Sequence, residues 1–210
     1  MFLKTVEESE ATGRVADIYG DEQGSLGLVM EASKCWTVRP DMLPVISDMF
    51  AGLKKGFTLS LRDWRLITLI AAVEVPSTYC VTVYGHNLIK ELGSKDLLLA
   101  IVRDFRTAGL PARDVAMLDY ARKVATQAHL VVQDDIDALR AHGFSDPQIA
   151  DIAMCASLRC FVARYFEAVG AGPEAMFVDD DPVARAILTV GRPLAVQRAE
   201  IPALQASLNP

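Results

Sequence analysis

Residues 58–93 read TLSLRDWRLITLIAAVEVPSTYCVTVYGHNLIKELG, and this stretch constrains the fold more than any other. Leu66, Leu69, Ile70 and Val73 recur at three- and four-residue steps, which lines up one face of an α-helix. Ser60 followed by Asp63 is a helix start, because a short oxygen side chain there accepts an otherwise unpaired backbone N–H. Pro76 ends the first helix and Ser77 caps the next, which runs YCVTVYGHNLIKEL until Gly93 stops it. The valines and Tyr84 have weak helix propensity, so the second helix depends on packing against its neighbours.

The same pattern extends along the chain. VADIYGDEQG groups Val15, Ile18 and Tyr19 on one side, with an interruption expected at Gly24 to Gly27. LVMEASKCWTV runs into Arg39-Pro40, and MLPVISDMFAG is expected to end near Gly52. SKDLLLAIVRDFRTAG, ARDVAMLDYARKVATQ and VVQDDIDALRAHG follow. FSDPQIADIAMCASLRCFVARYFEAVG reads as one long helix or two abutting ones. No segment alternates with the period of two that a half-buried strand requires, so the fold class is all-α, a compact multi-helix bundle. Residues 1–178 read as one helical domain. Residues 179–210 read as a helix from Val183 to Val190 plus a tail, lying along a partner subunit or outside the fold.

Composition narrows the function classes. The 210 residues are 51% hydrophobic and 23% charged, enough for one generous core or two closely packed helical halves. A net charge of −6 argues against a nucleic-acid surface, since phosphate contacts need clustered Lys and Arg. No apolar run reaches the length of a membrane-spanning helix. MFLKTVEESE turns acidic at once, without a signal-peptide core, so a cytoplasmic location is expected. A mean hydropathy of +0.24 is high for a small soluble monomer, and burial between subunits would account for it, giving a homo-oligomer. The four cysteines, at 35, 80, 155 and 160, lack paired CxxC and metal-ligand spacing. No metal or other cofactor is implied.

The chemistry-bearing candidates cluster in PSTYCVTVYGH. Cys80 falls in the first turn of its helix, where free N–H groups and the helix dipole favour a thiolate; its alternative is to fill space in a core. Tyr84 lies four residues on, on the same face, where its phenol can donate a hydrogen bond or a proton. His86 is an acid–base or anion-binding candidate, or a surface histidine. Arg65 could hold a carboxylate.

The order of these segments resembles the alkylhydroperoxidase AhpD-like and carboxymuconolactone decarboxylase superfamily, in its peroxidase-related branch. The likeness rests on EATGRVADIYGDEQGSLG, WTVRPDMLP, LSLRDWRLITLIAA, PSTYCVTVYGH, LPARDVAMLDYARKVATQ and DDIDALRAHGFSDPQIADIA. It implies an AhpD-like bundle. Redox-active members carry CxxC, a histidine four residues after the second cysteine, and a glutamate in the preceding helix. Matched to that pattern, Ser77 replaces the first cysteine, Cys80 is the second, Tyr84 takes the histidine position and Arg65 falls near the glutamate. Arg164 matches a late-helix arginine.

These departures remove the ordinary paired-thiol cycle, because a serine cannot resolve a sulfenic acid. The expectation is a small-molecule enzyme with a single active-site cysteine: Cys80, Tyr84 and His86 for chemistry, Arg65 and Ser77 for substrate, and a small organic acid or hydroperoxide as ligand. One alternative is an alkyl hydroperoxide reductase that recruits Cys35, Cys155 or Cys160 as resolver. Another is a decarboxylase using Arg65 with Tyr84 or His86. The last is a non-catalytic binding or structural oligomer.

Overall fold

The computed structural model describes residues 1–194. Ten α-helices account for most of that span: α1 Gly13–Leu26, α2 Glu31–Trp36, α3 Met42–Gly56, α4 Leu61–Glu74, α5 Thr78–Leu92, α6 Lys95–Asp104, α7 Ala112–Gln127, α8 Gln133–Ala141, α9 Asp146–Val169 and α10 Pro182–Leu188. Short 3₁₀ turns lie at Glu8–Glu10, Ala128–Leu130 and Ala175–Phe177. The described residues contain no strand, in agreement with the all-α expectation.

Helix α4 is the axis of the bundle. It packs against α5, α7 and α9, and Trp64, Leu66, Ile67, Leu69 and Ile70 are all buried. A helix apolar on nearly every side is a core helix, and α4 is one beyond its first turn, with Arg65 the charged exception in its second. Its start is the Ser60 cap expected from the sequence, which the structure closes into a reciprocal box with Asp63. Ser60 Oγ accepts from the Asp63 N–H at 3.0 Å, and an Asp63 carboxylate oxygen accepts from the Ser60 N–H at 3.3 Å. Asp63 and Asp114, both buried, are compensated by Arg62, which lies 2.7 Å from Asp114 and 3.5 Å from Asp63. That cluster ties α4 to α7.

Val75 and Pro76 turn the chain, and Ser77 then caps α5 by accepting from the Cys80 N–H at 3.5 Å. Gly93 closes α5 at φ 66°, a left-handed conformation that costs glycine nothing. Helix α5 forms despite its β-branched residues because Val81, Thr82 and Val83 are buried against the bundle. Tertiary contact outweighs the propensity deficit here.

Several boundaries differ from expectation. Helix α1 continues through Gly24 and stops only at Gly27, at φ 77°. Helix α3 passes Gly52 and reaches Gly56, and α2 ends at Trp36, before Arg39-Pro40. Helix α9 is one unbroken helix of 24 residues, opened by Ser145 and Pro147 and closed by Gly170 at φ 80°. Helix α10 ends at Leu188 and packs on α5 and α6, with Ala184 and Leu188 buried. The tail beyond residue 194, read above as a partner contact or as lying outside the fold, falls outside the described residues.

Candidate functional site

A cavity of about 590 Å³ opens between α1, α2 and α3 on one side and α4, α5 and α9 on the other. That volume falls within the range of about 300–1,000 Å³ common for small-molecule sites. Both tryptophans of the chain, Trp36 and Trp64, line it, together with Phe50, Tyr79 and Phe166. Tyr84 and Arg159 supply its polar inner surface.

Arg159 organises the site. It projects from the middle of α9 and is 3% exposed. Nη2 donates to Tyr84 Oη at 2.6 Å, Nη1 donates to Cys80 Sγ at 3.4 Å, and the guanidinium carbon lies 4.4 Å from the centre of the Tyr84 ring. No carboxylate pairs with it among the described residues, and its Nε is buried without a partner. Burial opposes the charge, while negative charge on Tyr84 or Cys80 favours it, and the net effect holds the guanidinium above its ordinary value. A buried cation without a counter-carboxylate is costly, so the two polarisable groups at its tips are its principal compensation. Tyr84 Oη accepts from Arg159, leaving its own proton without an acceptor among the described residues.

Cys80 itself is fully buried and does not line the cavity; Arg159 and Tyr84 do. The four cysteines are free thiols. Burial pushes the Cys35 and Cys155 thiols up to about 12 and also raises Cys160. Each of these three has its own partner: Cys35 with the Met1 sulfur at 3.6 Å, Cys155 with Thr68 Oγ1 and the Trp64 carbonyl at 3.7 Å, and Cys160 with the Ala125 carbonyl at 3.9 Å. None of these contacts reaches Cys80.

The remaining candidates are placed as follows. Ser77 is buried as the cap of α5, spent on the Cys80 N–H and outside the cavity lining. Arg65 lines the cavity but is ion-paired with Glu91. His86 is exposed, edge-on to Phe177, and takes no part in the cavity. Two residues advance a helix by about 200°, so His86 faces away from Tyr84. Arg164 is exposed, and Arg159 is the α9 arginine that reaches the site.

Arg159 was the residue missed in the sequence, although a signal for it was present. Ile152, Cys155, Ala156, Ala163 and Phe166 form the buried stripe of α9 at three- and four-residue steps, and position 159 falls on that stripe. A lone charge in the apolar stripe of a core helix marks a site or a satisfied ion pair. Arg164 stands five residues further on, about 140° off that line.

The outer wall of the cavity is pinned by side chains that satisfy the first N–H groups around α2. Glu22 accepts from the Met30 N–H at 2.9 Å, Glu174 from the Glu31 N–H at 2.6 Å, and Tyr79 Oη from the Ala32 N–H at 3.1 Å. Burial raises the Glu174 carboxyl, and burial with the nearby Glu174 charge carries the Tyr79 phenol well above its ordinary value.

A more polar cavity of about 730 Å³ lies beside α7 and α8. Its cations are already matched: Arg122 with Glu74 at 2.7 Å, Lys123 with Asp135 at 2.6 Å, and Arg106 with Asp119. Among the described residues no group of three or more His, Cys, Asp or Glu side chains could hold a metal ion, and no helix is long and apolar enough to cross a membrane.

The architecture is that of the alkylhydroperoxidase AhpD core. A peroxidase-related protein from Ralstonia eutropha JMP134 with that core is 24% identical, with a TM-score of 0.79 over 84% of this chain and 93% of its own. A peroxidase-related protein from Silicibacter sp. TM1040 is 24% identical, with a TM-score of 0.74 over 84% of this chain and 96% of its own. The debrominase Bmp8 is 17% identical, with a TM-score of 0.70 over 89% of this chain and 95% of its own. A cysteine-to-alanine variant of Bmp8 in complex with 2,3,4-tribromopyrrole gives a TM-score of 0.69. At these identities the likeness is one of fold. No family model and no curated protein matches the chain.

Proposed function

We propose that the protein is a small-molecule enzyme that works through one thiol, Cys80, with Tyr84 as proton donor and Arg159 as the cation that serves both. The observation carrying this reading is the fork of Arg159, with Nη1 on Cys80 Sγ and Nη2 on Tyr84 Oη. A sulfur nucleophile needs positive charge beside it, and a leaving group needs a proton at the moment its bond breaks. Both lie on one guanidinium. The fold shared with peroxidase-related proteins and with a debrominase supports the same direction.

The chemistry that suits this pair is attack by sulfur on an electrophilic heteroatom, an oxygen of a hydroperoxide or a halogen on carbon. The sulfur takes the heteroatom, and the bond electrons leave with the rest of the molecule. That fragment receives a proton from Tyr84, which is replaced from solvent. Cys80 is left as a sulfenic acid or sulfenyl halide. Two equivalents of an external small-molecule thiol return it to the thiol and become a disulfide, with water or hydrogen halide released. Because Cys80 is sealed behind Arg159 and Tyr84, a substrate reaches the sulfur by displacing the Tyr84 phenol.

The test is to treat the reduced protein with cumene hydroperoxide, and separately with a brominated phenol, then map each cysteine by mass spectrometry. The expected result is one oxygen or one mixed disulfide on Cys80, reversed by added thiol. An unmodified Cys80, or a disulfide from Cys80 to another cysteine of the chain, overturns the single-thiol reading.

A further inference from the structure

We infer that the cavity takes a planar aromatic anion, with its negative group at the Tyr84 hydroxyl and its ring between the aromatic walls. This names the ligand class of the proposed site and rests on that cavity being the substrate site. Three observations converge on it.

The first is charge. The cavity is lined by three cations, Lys54, Arg65 and Arg159, and by one carboxylate, Glu22. Glu22 is committed to the Met30 N–H and the Ser33 hydroxyl. Arg65 has Glu91. Arg159 and Lys54 have no carboxylate partner among the described residues, and Lys54 stands exposed at the rim. Hydrogen bonds from neutral donors leave the Glu22 charge in place, so with Arg65 matched by Glu91 two cations face one carboxylate and the lining is net positive, a balance that favours an anionic ligand.

The second is hydrogen bonding. Arg159 Nη2 already occupies one lone pair of Tyr84 Oη. The phenolic proton is directed elsewhere and has no acceptor among the described residues. A hydroxyl polarised by a guanidinium and with a free proton is a donor for an oxyanion. Arg159 Nε is likewise buried without a partner.

The third is shape. Trp36, Phe50, Trp64, Tyr79 and Phe166 supply five rings to one cavity. Trp36 already stacks on Tyr165 at 4.1 Å with an interplanar angle of 9°. Flat aromatic walls favour a flat ring over a puckered one, through offset stacking and edge contacts.

The probe set is benzoate, its neutral isostere benzamide, and the non-planar cyclohexanecarboxylate. Both tryptophans line the cavity, so intrinsic fluorescence reads occupancy directly, with calorimetry as a second measure. Benzoate should bind saturably, with benzamide and cyclohexanecarboxylate each at least about tenfold weaker, a difference of about 1.4 kcal/mol. Tyr84→Phe should weaken benzoate by a similar factor and benzamide less, because a neutral carbonyl is a weaker acceptor than a carboxylate. Arg159→Lys should weaken it further; if that variant does not fold, the ligand comparison and Tyr84→Phe still decide. Equal binding of benzoate and benzamide, or no binding of either, overturns the inference. Alkylation of Cys80 measured on the same samples separates the two ideas: a reactive Cys80 without benzoate binding removes the ligand class alone, and benzoate binding with an inert Cys80 removes the thiol enzyme alone.

Discussion

Arg159 holds Tyr84 twice, by an Nη2–Oη hydrogen bond of 2.6 Å and by the face of its guanidinium 4.4 Å from the ring centre. The same guanidinium thereby links this cavity-lining phenol to the buried Cys80, whose sulfur takes the other Nη at 3.4 Å.

If Tyr84 gates access to Cys80, shortening it should expose the sulfur. Tyr84→Ala should speed iodoacetamide modification of Cys80 by about tenfold or more, since a thiolate reacts according to access as well as charge. Tyr84→Phe keeps the ring but removes the proton donor. It should leave alkylation near the parent rate and lower turnover by about 10²-fold or more, the usual contribution of a general acid. Peptide mapping over a time course gives the first quantity, and steady-state kinetics the second.

Arg159→Met removes the buried charge and keeps most of the side-chain volume. Replacing buried ionic groups by well-packed apolar side chains of similar volume is often neutral or stabilising, so the variant should remain folded by circular dichroism. Its Cys80 should be alkylated at least about tenfold more slowly than in the parent, because the cation beside the sulfur is gone. An unchanged rate in a folded variant would separate Arg159 from the thiol chemistry.

Stability should fall with rising pH above the ordinary thiol range. The Cys35 and Cys155 thiols move from 9.0 to about 12 in the folded chain, chiefly by burial. Below the lower value both folded and unfolded chains keep these protons. Between the two values the unfolded chain releases them first, so it is favoured as pH rises. Each thiol contributes at most about 1.4 kcal/mol per pH unit across that window. Urea midpoints measured below and inside the window should show the decline, and Cys155→Ala should flatten it.

Gly191 packs where only glycine fits. A Cβ placed there would overlap the Pro76 carbonyl oxygen, and its N–H donates to Thr78 Oγ1 at 3.0 Å, at the start of the helix that carries Cys80. Gly191→Ala should cost about 1–3 kcal/mol, as overpacking does. It should also raise protease sensitivity after α10, with the thermal midpoint as the second readout.

The helices themselves were largely legible. Ser60 with Asp63, Ser77 as a cap, and Gly93 and Gly170 as stops act through backbone groups within a few residues, so local sequence is enough to read them. Errors came where a glycine could be tolerated inside a helix, as at Gly24 and Gly52, because its cost is only about 1 kcal/mol. Within the site, Cys80 and Tyr84 were legible as a pair because four residues return to the same helical face. The same helical step sets His86 about 200° from Tyr84, although the sequence reading grouped it with them for chemistry.

Arg159 was not singled out, because its meaning depends on α9 crossing α5 at the level of Cys80, a contact between residues 79 positions apart. Likewise, nothing near Arg65 in the sequence foretells Glu91 on the next helix as its partner. Sequence alone determined an all-α bundle, its caps and the same-face pairing of Cys80 with Tyr84, since those follow from helical periodicity and nearby backbone groups. Tertiary packing decided which arginine meets them and that Cys80 is sealed away from the cavity. A buried charge takes its partners from whatever the folded chain brings within hydrogen-bond reach.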